Sequence, residues 1–300
     1  MQRSYNGTRR QQQAYEVAQT PGKCLNCYRL MKLRALSILI LTAGLALAQA
    51  PNPPSPAVPA SADANAQKAR QILEQMIQAL GGPAYMSIQD MSEEGRGYTF
   101  YQGQPDSVGT LFWLFWKYPD KQRVELTKQR DVVTVNNGDE GYDITYRGTA
   151  LEEKEQLQTY LRYRNHSLET VLRVWLQNPN VALFYDGPAV AEQKPTDSVT
   201  LMNGDDSVTI FVDRYSHLPV KKTFSWRDPT DRLRNEEAEI YDNFRPVQGI
   251  VTPHIIMRSR NGQTTGQRFI TNVKYNTGLP DSLFQAKVTY DPYATPKRKK

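Results

Sequence analysis

Three imidazoles, His166, His217 and His254, are the chain's whole supply of histidine, so any activated nucleophile would have to draw on one of them. None lies near a G-x-S-x-G turn, which lifts a serine hydroxyl out of a strand. Ser198 and Ser207 fall in strand-like or turn-like sequence. No H-E-x-x-H, G-x-x-x-x-G-K-[ST] or G-x-G-x-x-G stretch occurs, and Gly95-Arg96-Gly97 is a fragment with no helix behind it. Paired carboxylates could supply an acid and a base, and the doublets Glu93-Glu94, Glu152-Glu153, Asp205-Asp206 and Glu236-Glu237 are present. Neighbours on a strand point to opposite faces, so these doublets read as solvated surface, with Asp205-Asp206 as turn chemistry. A Cys24-x-x-Cys27 pair would suit redox or zinc chemistry. The feature with no solvated reading is Leu111-Phe112-Trp113-Leu114-Phe115-Trp116, six large apolar side chains in succession. Its chemistry is binding rather than turnover: a covered central strand, or one wall of an apolar cavity.

The cysteines drop out once the N-terminus is read. From Met31 a short basic start precedes an apolar run from Ala35 to the small residues Ala46-Leu47-Ala48, the three parts of a secretory signal peptide. A membrane span needs roughly 20 apolar residues, more than this run offers. The sequence therefore predicts an extension outside the translated protein at 1–30, a signal peptide at 31–48 cut after Ala48, a Pro/Ala-rich linker at 49–62, one domain at 63–290 and a basic tail at 291–300. Residues 1–48 hold seven of the 37 basic residues and one of the 31 acidic ones, which leaves 30 of each. The apparent net charge of +6 disappears, and with Lys297 to Lys300 in the tail the body is slightly acidic. Nucleic acid is excluded as a partner, since it requires a clustered positive face. Without cysteine in the mature chain, disulfides, zinc thiolates and acylated-cysteine anchors are excluded as well. The expected location is the periplasm.

The elements that must position the apolar run follow from periodicity. Ala69, Ile72, Leu73, Met76, Ile77 and Leu80 recur at helical spacing before Gly81-Gly82, predicting an amphipathic helix with a glycine stop. From Ile88 to Tyr146 the period is two, broken at 103–106, 119–120, 129–130 and 137–138, which predicts five antiparallel strands. A helical pair follows over 152–163 and 168–177, and strands then resume with breaks at 203–204, 217–219, 228–229, 246–249 and 261–262. The total predicted is about ten or eleven strands. Val220, Lys222, Phe224 and Trp226 share one face of a strand; Val208, Ile210 and Val212, and then Phe269, Val273 and Tyr275, repeat the pattern. So many twisted strands must curl, and the apolar face then lines a concavity. Phe112, Leu114, Trp116, Val133, Val135, Tyr142, Ile144 and Tyr146 are expected on that face, with Leu168, Val171, Leu172, Trp175 and Leu176 as its movable lid.

Several stretches resemble the LolA-like group of bacterial outer-membrane lipoprotein-sorting and carrier proteins. They are the front helix ending at Leu80-Gly81-Gly82, then Gly109 with the aromatic strand into Pro119-Asp120-Lys121, Arg123 and Glu125, and Asn137-Gly138 before Tyr142. Tyr241 to Ile250 with Pro253, and Asn276 to Phe284, complete the set, which spans most of 64–285. The resemblance implies a half-open antiparallel barrel with a helical lid over a cavity for lipoprotein or lipid acyl chains. It also implies a periplasmic, monomeric, non-enzymatic carrier without cofactor or metal, an inner-membrane donor and an outer-membrane acceptor. In the family an inward arginine precedes the strand-ending proline; here that position is Tyr118. Counting by twos from it places Phe112, Leu114 and Trp116 inside, and Val124 and Leu126 inside with Arg123 and Glu125 outside. Tyr118 in place of arginine separates this chain from the family's lid-gating and hand-off residue. Two other readings stay open: a periplasmic binding or scaffold module with a filled core, and an envelope hydrolase, for which no catalytic residue is nominated.

Overall fold

A computed structural model describes residues 60–293 apart from residue 107. The expectations for the extension, the signal peptide, most of the linker and the end of the basic tail lie outside those residues. Helix α1 (Ala60–Leu80) starts inside the stretch read as linker and buries Ala69, Ile72, Leu73, Met76, Ile77 and Leu80. Burying a side chain of this size contributes about 1.5–3 kcal/mol, and the stripe holds α1 against β8, β9 and β13 of the sheet described below. The glycine stop works as expected. Gly81 has φ +128°, and a Cβ there would meet the Gly249 carbonyl oxygen at 2.6 Å. Any other residue would push the helix end off the chain beneath it. A short helix, α2 (Pro83–Met86), turns the chain into the sheet.

The strands are β1 (Asp90–Tyr101), β2 (Gln104–Pro105), β3 (Thr110–Lys117), β4 (Lys121–Leu126), β5 (Val132–Asn137), β6 (Glu140–Thr145) and β7 (Gly148–Leu151). Helices α3 (Lys154–Asn165) and α4 (Leu168–Thr170), the latter running into a π-helical turn Val171–Trp175, separate them from the second series. That series is β8 (Ala182–Ala191), β9 (Lys194–Asn203), β10 (Asp206–Asp213), β11 (Pro219–Arg227), β12 (Arg234–Val247), β13 (Ile250–Arg260) and β14 (Gln263–Tyr275). All join one antiparallel sheet of 14 strands in the order β7-β6-β5-β4-β3-β1-β14-β13-β12-β11-β10-β9-β8, with β2 hanging on β1. It is not closed into a barrel: β7 and β8 are its two edges. Since they are consecutive in sequence, the helical segment between them must travel from one edge of the sheet to the other.

Three strands beyond the predicted eleven have local causes. β2 and β7 are too short to show a period. β8 and β9 form one hairpin whose two-residue turn is Glu192-Gln193, both at positive φ, 48° and 62°. That turn normally advertises itself through Asn or Gly, and here it does not. A register shift beside Gly95, where a Cβ would run into the Phe269 carbonyl oxygen, skips Thr271 of β14. One skipped residue inverts the faces. Phe269 is therefore 39% exposed on the face opposite buried Val273 and Tyr275, correcting their expected alignment.

Both faces of the sheet carry packed side chains. The inner face, toward α1, holds the main core with Phe112, Val199, Leu201, Val208, Ile210, Phe224, Tyr241, Ile270 and Val273. On the outer face the chain after β14 lies back across the first strands, where Phe284 of a 3-10 turn (Asp281–Phe284) packs with Val133 and Val135 in a second, smaller core.

Candidate functional site

The register of β3, β4 and β5 divides the expected cavity lining. Leu114 pairs with Val124, which pairs with Thr134; Phe112 pairs with Leu126, which pairs with Val132. Directly opposed residues share a face, so Phe112, Leu114, Trp116, Val124 and Leu126 lie together on the inner face. Phe112 is buried, while the other four are only half-buried, an apolar strip that the core does not cover fully. Val133 and Val135 lie on the other face, aligned with Glu125 and Arg123, and Tyr142 and Ile144 pair with them. These four belong to the outer core under Phe284, not to the inner strip. Tyr146 is in the β6–β7 turn, 87% exposed beside Arg147. Period-two alternation reports that a side is dry. It cannot tell which of two dry sides.

A row of ionised groups crosses the same inner face and was read in the sequence only in part. Lys222, aligned with Val220, Phe224 and Trp226 as expected, is fully buried; its Nζ lies 2.7 Å from Glu239 Oε2 and donates to the His166 carbonyl oxygen. Arg258 approaches Glu239 Oε1 at 2.8 Å, and the Tyr241 hydroxyl donates to Oε2 at 3.0 Å. On the next pair Arg260 holds Glu237 at 2.6 Å, and Tyr163 and Trp226 donate to the same carboxylate at 2.6 and 3.2 Å. Further along, Arg268 holds Glu93 at 2.6 Å. Burial alone would raise the Glu239 carboxyl, but Lys222 and Arg258 outweigh it and keep it well below the usual carboxylate range. Glu93 and Glu237, expected in solvent with their doublet neighbours, are therefore buried and paired. One residue of each of these two doublets turns in, as strand alternation requires.

The segment expected to be a lid has two parts that pack differently. Leu168, Val171, Leu172, Trp175 and Leu176 are buried in the main core, with Leu172 at 0% exposure. Helix α3 buries none of its side chains completely. Polar and aromatic contacts hold it instead: Tyr163 to Glu237, with the Arg258 guanidinium 4.1 Å over its ring; Arg162 stacked 3.6 Å from the centre of Trp226; Arg164 on the Gly138 carbonyl and on Asp139 at 2.8 Å. Burial also pushes the Tyr160 phenol up to about 12. Through these contacts α3 links the β5–β6 turn to the inner face of β11 and β12. At the core end, Arg173 donates to the Ile88 carbonyl at 2.8 Å and lies 3.8 Å over the ring of Tyr118, which meets Trp116 edge-on. The guanidinium at this junction thus comes from the helical segment and the aromatic ring from the strand end. Among the described residues no three His, Cys, Asp or Glu side chains converge as metal ligands would.

Comparison with known proteins bears on the fold. No family model matches the chain, and no curated protein matches it by sequence. Among solved structures, a DUF1329 family protein from Desulfovibrio piger superposes with a TM-score of 0.52 at 12% identity, over 74% of this chain and 97% of that one. A putative outer membrane lipoprotein-sorting protein domain from Vibrio parahaemolyticus gives 0.49 at 10% identity, over 73% and 97%. A LolA superfamily protein from Nitrosomonas europaea gives 0.46 at 14% identity, over 72% and 97%. The likeness to the Desulfovibrio piger protein is one of fold, and this chain's own fold is the expected half-open antiparallel sheet with helices.

Proposed function

We propose that the protein is a periplasmic, non-enzymatic carrier that holds acyl chains of lipoproteins or lipids against the inner face of β3 and β4, with α3 as the displaceable cover. The observation that carries this reading is that Leu114, Trp116, Val124 and Leu126 stay half-buried on the inner face while α3, which also packs on that face through Glu237 and Trp226, completely buries no side chain of its own. Each CH₂ removed from water contributes about 0.8 kcal/mol, so a long acyl chain gains on the order of 10 kcal/mol from such a surface. Cargo bound that tightly must still be released. A cover held by polar contacts meets both needs, because opening it subtracts from the net affinity without exposing core. The buried Leu168 to Leu176 stretch then anchors the cover, and Arg173 on Tyr118 fixes the anchor to the strand end. Donor and acceptor proteins at the inner and outer membranes complete the proposal, with residues 63–290 as the carrier domain.

The test is the lipid content of the full chain purified without detergent, read by native mass spectrometry. Bound acyl lipid is expected, and Leu114→Glu or Val124→Glu should remove it while circular dichroism stays unchanged. Lipid-free wild-type protein, or content that these charges leave intact, would sink the reading. A second reading has its own support in the full burial of Leu172 and its neighbours. It holds that the interior is a finished core and that the protein acts as a binding module through its surface; it predicts lipid-free protein.

A further inference from the structure

A cleft of about 1180 Å³ opens between α3 and the turns of the β9–β10 and β11–β12 hairpins. Four guanidinium groups line it, Arg162, Arg164, Arg227 and Arg234. Arg164 is taken by Asp139 at 2.8 Å. The other three make no ion pair with any carboxylate among the described residues. Asp206 lies 2.8 Å from His166 Nε2, and Asp205 also lines the cleft, with no ion pair among the described residues.

Arg227 and Arg234 are exposed and Arg162 is half-buried, and two features bear on what they could bind. Arg227 and Arg234 stand directly opposite each other in the β11–β12 register, an arrangement that destabilises a ladder unless something of opposite charge lies between. Neither guanidinium is held by a carboxylate: Arg227 donates to the Arg232 carbonyl at 3.5 Å and Arg234 to Ser225 Oγ at 3.1 Å. Arg162 is clamped against Trp226 and donates to Thr159 Oγ1 at 3.2 Å, yet its Nε is buried with no partner. The nearby Glu237 does not serve it, being bonded already to Arg260, Tyr163 and Trp226.

We propose that this cleft binds a phosphate ester of a polyol. One guanidinium fork satisfies a carboxylate, whereas a phosphate offers oxygens to several forks at once. Gln158, Asn165 and Asn203, which also line the cleft, suit the hydroxyl groups of the alcohol part. The same chemistry is found in a soluble glycerol or sugar phosphate and in a phosphoglycerol lipid headgroup. The inference goes beyond the acyl reading and stands without it.

Calorimetric titration of the full chain in phosphate-free buffer with glycerol 3-phosphate, beside flotation with phosphatidylglycerol vesicles, tests the site and its source. Binding to at least one probe is expected, with a loss of about tenfold or more in the Arg227→Gln/Arg234→Gln double variant, as for charge-assisted bonds. That double variant should also melt at higher temperature than wild type when phosphate is absent, because the like-charge opposition is gone. Asp205→Asn should tighten binding. Arginine-dependent binding of glycerol 3-phosphate alone assigns a soluble ester; of vesicles alone, a lipid headgroup. Absence of binding to both probes, or binding that the arginine variants leave unchanged, overturns the proposal. Leu114→Glu should leave the phosphate titration as it is, so the acyl reading and this one fail separately.

Discussion

At Asp90 a single carboxylate ties the two ends of the fold together. It is buried and accepts from the Thr277 amide at 2.7 Å, the Thr277 hydroxyl at 3.1 Å, the Gly278 amide at 2.9 Å and the Leu279 amide at 3.2 Å. Asp90→Ala should cost about 3 kcal/mol in urea unfolding, the upper range for bonds to one charged group, and should free the segment that carries Phe284. Glu169 offers a pH test. Burial raises its carboxyl above the ordinary value, with Lys222 opposing. Relative to the unfolded chain the native state therefore disfavours the ionised form, and the stability present at low pH is lost as pH rises through the raised native value. Glu169→Gln should stabilise at pH 7, with the gain vanishing below about pH 4, where the unfolded carboxyl is also protonated. Glu239 has the opposite sign: its depressed value supplies stability above about pH 4 that drains away as pH falls further. Equal effects of Glu169→Gln at both pH values would refute the assignment. Lys222 shows what could be read at this scale. Alternation alone placed it inside, whereas its partner Glu239 is more than a dozen residues away and invisible to any local pattern.

Elements with long periods were legible, and those defined by partners were not. The α1 stripe, its glycine stop and the β3 phase are properties of local spacing, and all three hold. The β5 face failed because the surface covering it comes from residues after 275, and the Glu192-Gln193 turn failed because tertiary pairing imposes a backbone that its residues do not favour. The predicted lid was found as a helical segment but not divided correctly, since burial of Leu172 and the absence of fully buried residues on α3 depend on the strands beneath. If α3 opens separately, Tyr163→Phe should speed amide exchange over 154–165 on the order of tenfold, while exchange in β12 and the urea midpoint barely move. Coincident acceleration of α3 and β12 would show that the two open as one unit.

For the whole molecule, the inner face combines an incompletely covered apolar strip with a bonded row of ions, and the two have different consequences. Buried ion pairs add little net stability compared with well-packed apolar groups, although removing one partner is costly. Lys222→Met should therefore destabilise by about 3 kcal/mol, and Lys222→Met combined with Glu239→Leu should recover part of that loss. Chemical denaturation of the single and double variants checks the sign of the recovery.

The sheet consists of two strand-by-strand series, β1 to β7 and β8 to β14, joined only where β1 meets β14. Met91 lies against Tyr275 and Glu93 against Val273 in that seam. The other pairings join strands next or next but one in sequence; this one waits until all the strands between have been synthesised. Seams between such distant residues carry a large loop-closure cost and slow the approach to the native state. Until β14 emerges, β1 has an open flank and Asp90 has no amides to receive, so a ribosome-bound chain would remain pliable. A version ending at Gly262 should accordingly give no cooperative thermal transition. Consolidation is thereby timed to the arrival of β14, and β1 acts as the receiving edge on which the second series of strands is fastened.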